Sequence, residues 1–173
     1  MQLTTVSALM LWLLAILATP AHAQTQTTEK LSKRFGESLN LYFYKNTLRM
    51  LNQKEDKDFD ALIKDVEKMR FLMIDKGQQF SATEYKRILS DYRSENYEEM
   101  MTSRHEGKSF DVYIREVKGD VKGTVILVND STNLYVLDIL GKVAINKAAS
   151  LFNALDDSSD IGKKIKEFTK SVD

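Results

Sequence analysis

Leu39, Leu41 and Phe43 alternate with Asn40 and Tyr42, the two-residue period of a strand with one buried face. Asn46-Thr47 then opens a short helical turn carrying Leu48 and Leu51. Asp58 is placed to cap a helix whose Phe59, Leu62, Ile63 and Val66 share one stripe, with Met69 continuing it. Phe71-Leu72-Met73-Ile74, stopped by Asp75-Lys76-Gly77, has the length of a buried strand. Ser81-Ala82-Thr83-Glu84 is a capping box flanked by Phe80 and Tyr85, and the helix it opens puts Tyr85, Ile88, Leu89 and Tyr92 on one stripe, ending near residues 94–96. Upstream, Gln24 to Thr28 reads as a polar, frayed end, followed by a short helix from Glu29 to Phe35 that Gly36 stops.

Beyond the capped helix the pattern turns to strands. Tyr97 to Ser103 reads as one. Phe110, Val112 and Ile114 alternate with Asp111, Tyr113 and Arg115 until Glu116, and Lys118-Gly119-Asp120 turns the chain. Thr124 to Val128 runs back to a second turn at Asn129-Asp130-Ser131, and Leu134 to Ile139 completes a meander that Gly141 ends. A helix from about Asn146 would bury Ala149, Phe152 and Leu155, and an amphipathic helix from Ile161 to Thr169 would close the chain. The order predicts an α+β fold: a mostly antiparallel sheet with a C-terminal three-stranded meander, and helices packed mainly on one face.

The first 28 residues carry no charged side chain, and Ala8 to Ala18 is an uninterrupted apolar run. A membrane span needs about 20 such residues, whereas the core of a secretory leader has about 7 to 15. Thr19-Pro20 breaks the run, and Ala21-His22-Ala23 has the small-x-small pattern that a signal peptidase accepts. Residues 1–23 are therefore read as a cleavable signal peptide and 24–173 as one domain, without a stable membrane anchor once cleaved. Met1 to Thr5 lacks Lys and Arg, so an uncleaved anchor is the alternative, and either reading puts the domain outside the cytoplasm.

Composition narrows the chemistry. At 43% hydrophobic and 29% charged, the 173-residue chain can build one packed core. With 25 basic and 25 acidic residues it has no net field to hold a polyanion, and no nucleic-acid partner is expected. Cysteine is absent, which removes disulfides, thiol catalysis and thiolate metal sites. Behind the leader only one histidine remains, His105, in a polar stretch without ligand spacing, so no metal site, cofactor or catalytic residue is assigned. Residues 156–167 echo a calcium loop, but Ile161 stands where the turn needs glycine and Lys163 and Lys164 would repel the ion; an N-cap for the last helix explains them.

Two sets of residues remain as candidate sites. On a strand, Tyr42 and Tyr44 would point away from the face carrying Phe43, giving a partner-binding surface unless a helix covers them. Phe43, Leu62, Ile88 and Phe110 are the candidates to line an apolar ligand pocket between sheet and helices.

The exported leader, the strand and helical turn of Leu41 to Met50, the helix and strand of Asp58 to Ile74, the segment Tyr97-Glu98-Glu99-Met100-Met101, and the meander ending Leu137-Asp138-Ile139-Leu140-Gly141 together resemble a bacterial family, domain of unknown function 4252 (DUF4252). The likeness spans most of Leu31 to Leu155, and it rests on the order of features more than on any one motif. It implies an exported protein of Gram-negative bacteria, in the periplasm or secreted, with no assigned activity and no functional residues to carry over. Many members are lipoproteins; this chain lacks the cysteine that lipid attachment requires.

The expected function is thus a non-enzymatic binding or interaction module of the cell envelope. Its partner would be an unknown envelope protein or a small ligand. A periplasmic carrier of small apolar ligands is the alternative, and a carboxylate-based hydrolase the third reading.

Overall fold

The computed structural model describes residues 25–35, 39–52, 55, 57–77, 80–105 and 107–143. The proposed leader, both helices expected after residue 145 and the calcium-like segment at 156–167 lie outside the described residues.

Ten elements follow in order: α1 (Gln26–Arg34), β1 (Leu39–Tyr44), α2 (Lys45–Leu51), α3 (Lys57–Ile63), β2 (Val66–Asp75), α4 (Ala82–Ser94), β3 (Glu98–His105), β4 (Lys108–Val117), β5 (Asp120–Asn129) and β6 (Asn133–Gly141). The strands form one sheet in the order β1-β2-β6-β5-β4-β3, and every neighbouring pair is antiparallel. This is the expected α+β fold. The three-stranded meander is present as β4–β6, and β3 extends it to four consecutive strands. Its turns follow from local chemistry: Lys118 and Gly119 take positive φ, and Asp130 accepts the amides of Thr132 and Asn133, each at 2.7 Å.

Alternation along the strands sends side chains into two cores, one on each face. On the first, Met69, Phe71, Ile126, Leu137 and Ile139 pack with Leu48 of α2 and Phe59, Leu62 and Ile63 of α3. On the second, Leu72, Ile74, Val125, Leu127, Leu134 and Val136 pack with Leu31 of α1 and the Tyr85, Ile88, Leu89 and Tyr92 stripe of α4. The two longer helices share one face and the two seven-residue helices lie on the other, so helices cover both faces rather than mainly one. The capping box forms on its serine side, with Ser81 Oγ accepting the Glu84 amide at 3.2 Å. The Glu84 carboxylate turns instead to Arg34 and ties α4 to α1.

Three further expectations need correction. Val66 and Met69 do not continue the α3 stripe but open β2, where Met69 pairs with Phe43 on one side and Ile139 on the other. A four-residue apolar step suits a helix, yet here a helix end and an inward-pointing strand start produce the same spacing. β4 also runs past the point where its alternation stops, because a bulge between Arg115 and Glu116 absorbs the slip. The third concerns the amino end. Residues 25–28 are not frayed: Thr25 is the N-cap of α1, and Thr25, Thr27 and Thr28 are all buried.

Burial of those threonines is tolerated because each polar group finds an acceptor elsewhere in the fold. The Thr25 amide and hydroxyl donate to Asp138 Oδ2 at 3.0 and 2.9 Å. The Gln26 and Thr27 amides and the Thr27 hydroxyl donate to the Glu95 carboxylate at the end of α4. Thr28 Oγ1 lies 2.9 Å from the Tyr92 hydroxyl. A negative carboxylate at each of these amides also complements the positive end of α1.

Candidate functional site

Both edge strands of the sheet lack a described neighbour on their outer side, but they differ in how they meet solvent. β3 reads Glu-Glu-Met-Met-Thr-Ser-Arg-His, is bulged between Glu99 and Met101, and is solvent-exposed from Glu98 to Arg104. Charges and a bulge are the usual devices that keep an edge from pairing with another chain. β1 reads Leu-Asn-Leu-Tyr-Phe-Tyr and pairs with β2 without a register shift. It has no charge, no proline and no bulge.

On β1, Phe43 is buried in the first core with Leu39 and Leu41 packed against it, while Tyr42 and Tyr44 point to the other face and are 42% and 57% exposed. Among the described residues no helix covers the two tyrosines. Their rings stand against two cations of β2. Lys68 Nζ lies 5.2 Å from the Tyr42 centroid and 5.3 Å from that of Tyr44, and the Arg70 guanidinium lies 4.9 Å from Tyr42. Cross-strand register produces this ladder, because Tyr42 pairs with Arg70 and Tyr44 with Lys68.

The two cations have different surroundings. Arg70 is 1% exposed and satisfied: its Nε donates to Asn40 Oδ1 at 2.8 Å and its Nη1 to Glu29 Oε2 at 2.9 Å. The Arg70 guanidinium, with help from Lys33, holds the Glu29 carboxyl below the usual carboxylate range. Lys68 is half-buried, and among the described residues its ammonium lies over the two rings with no hydrogen-bond or ion-pair partner. A ring face offers no lone pair to its three N–H donors.

Two buried carboxylates bear on the hydrolase reading. Asp111 accepts from the Tyr85 hydroxyl (2.5 Å) on one oxygen, and from Thr102 (2.7 Å) and Arg104 (2.9 Å) on the other. Asp138 lies on β6 beneath the start of α1, held by Thr25. They belong to separate networks, one under each long helix, and each does the structural work of filling buried donors. Asp111 also pushes the Tyr85 hydroxyl further up, after burial has raised it.

Burial raises the Asp138 carboxyl above its ordinary value, although the threonine hydrogen bonds and the field of Arg70 oppose that. Between about pH 4, where an unfolded aspartate titrates, and its raised native value, the folded chain holds a proton that the unfolded chain has lost. Acidification through that window therefore stabilises the native state through this residue. The Asp138→Asn variant keeps an acceptor for Thr25 without the titration. Melting curves at neutral and mildly acidic pH should show wild type gaining on the variant as pH falls. If wild type loses ground instead, the ionised carboxylate is the form the fold prefers.

The four residues expected to line one pocket do not converge. Phe43 and Leu62 lie in the first core with Phe110 packed against it, but Ile88 belongs to the second, across the sheet. The sequence shows the helical stripe that carries Ile88 but not which face of the sheet that stripe covers. His105 ends β3. Among the described residues no group of three or more His, Asp or Glu side chains is placed to hold a metal ion, and no helix is long and apolar enough to cross a membrane.

The sequence pattern does not single out Lys68 and Arg70, since a helical reading of Val66 and Met69 hides the strand that carries them. The signal that finds them is the alternation of Lys68, Arg70 and Leu72 with Met69, Phe71 and Met73. Neither a curated protein nor a solved structure matches the chain. A family model does, over residues 10–151, which accords with the resemblance seen in the order of its elements. The chain belongs to the family described as Domain of unknown function (DUF4252).

Proposed function

We propose that this protein is an exported interaction module of the Gram-negative envelope, periplasmic or secreted, that acts by recognition and captures an extended protein segment along β1. The observation that carries this reading is the contrast between the edges. β3 has the charges and the bulge that discourage pairing, whereas β1 offers six uncharged residues, two of them exposed tyrosines. Strand addition of this kind takes affinity from main-chain hydrogen bonds and specificity from alternate side chains. The apolar run and small-x-small site ahead of Gln24 support export.

Selection from a display library of extended peptides, followed by amide hydrogen exchange of the complexes, tests it. Bound peptides should protect amides within Leu39–Tyr44 and leave those of Glu98–His105 unchanged. Tyr42→Ala/Tyr44→Ala, which also uncovers Lys68 and Arg70, should stay folded with a modestly lower melting temperature and weaken binding about tenfold or more, the loss expected when aromatic anchors are truncated. Peptides that protect β3 or a helix and spare β1 would refute the assignment.

A further inference from the structure

Lys68 indicates what the captured segment carries. Its ammonium is half-buried, and no hydrogen-bond acceptor or carboxylate reaches it among the described residues; its contacts are the rings of Tyr42 and Tyr44. Arg70, one step along the same face of β2, has Glu29 and Asn40. One rung of the ladder is therefore neutralised and the next is not. Cation–π attraction offsets part of the cost of drawing Lys68 out of water, but it leaves the ammonium's donors unfilled.

The direction of the side chain adds a geometric constraint. Lys68 starts on β2, yet its Nζ is nearly equidistant from two rings that belong to β1, so it leans toward the open edge. A strand added outside β1 would run about 10 Å from β2, two strand spacings. The extended lysine spans more than half of that gap, and a glutamate on the incoming strand has the reach to close the rest. Residues of that strand on the opposite face would meet Leu39, Leu41 and Phe43, which ask for apolar neighbours.

We infer that the segment bound at β1 is an extended peptide of alternating apolar and polar residues, with a glutamate beside Tyr42 and Tyr44 that pairs with Lys68. This rests on strand capture at β1 and specifies its partner's chemistry. The ion pair forms at a partly desolvated site, so it contributes more than an exposed surface pair and resists salt better.

The test uses one extended-peptide display library against three baits: wild type, Lys68→Gln and Lys68→Glu. Peptides that protect Leu39–Tyr44 should be enriched in glutamate at one alternate position with wild type, unbiased there with Lys68→Gln, and enriched in lysine with Lys68→Glu. In a selected peptide, replacing that glutamate by glutamine should weaken binding to wild type about tenfold and leave binding to Lys68→Gln unchanged. Peptides that protect β1 without an acidic bias would overturn the pairing with Lys68 and leave strand capture standing. If no peptide protects β1 in any bait, strand capture fails and the pairing fails with it. Lys68→Gln removes the charge over Tyr42 and Tyr44 while keeping a long polar side chain between them, so the comparison holds even if Lys68→Glu folds poorly.

Discussion

Replacing Gly141 by alanine is expected to lower the unfolding midpoint by roughly 10 °C or more, corresponding to about 4 kcal/mol. Two costs combine at this position. Gly141 has φ of +113°, a backbone conformation that side chains rarely adopt. A Cβ built there would also collide with the Asp65 carbonyl oxygen, which is backbone and cannot swing aside. That carbonyl is fixed in turn by the Lys142 amide at 3.1 Å, and Gly141 pairs with Val66 where β2 begins. The closure of β6 against the α3–β2 turn therefore depends on a missing side chain. Gly77→Ala is the control, because nothing lies within 4 Å of a Cβ there; its stability should stay within about 0.5 kcal/mol of wild type. Equal midpoints for the two variants would mean that the junction relaxes freely.

The second large effect is expected at Arg70. Arg70→Ala should cost about 3 kcal/mol, because it empties a volume that is 1% exposed and strips Asn40 Oδ1 of its donor. The loss of the Glu29 pair adds less, since that carboxylate is half in water. Arg70→Met refills most of the space without the charge, and should recover about half of the loss. Chemical denaturation of the three proteins separates the contributions: equal losses for Ala and Met would assign the whole effect to the polar network, and full recovery by Met would assign it to packing. Both variants also remove the guanidinium behind the Tyr42 ring, so that ring should become more mobile in either.

Most of the sheet was legible because its strands obey a local rule. Alternation marked Leu39 to Phe43 and Phe110 to Ile114, glycine and aspartate marked the turns between β4, β5 and β6, and the serine of the capping box placed α4 within a residue. Alternation also put Tyr42 and Tyr44 on the face opposite Phe43, which is where they lie. The failures have a common physical cause, which is dependence on a partner distant in the chain. Val66 to Arg70 became strand through pairing with β1 and β6, against a spacing that equally suits a helix. The Ile88 stripe was visible, but the face it covers depends on how the chain crosses the sheet. Asp138 meets Thr25 across 113 residues, and no window along the sequence contains both. Lys68 went unnoticed for the same reason, since its two aromatic neighbours sit on another strand.

The anchoring of Thr25 to Thr28 has a practical corollary for anyone producing this protein. A recombinant version begun at Glu29, where the sequence alone would start the first helix, discards the donors that satisfy Asp138 and Glu95 and strands a carboxylate in the interior. The same contacts make the choice of first residue a determinant of product quality: starting a few residues too late would yield a folded-looking but weakened species, whereas an end left just ahead of Thr25 keeps its clasp on β6.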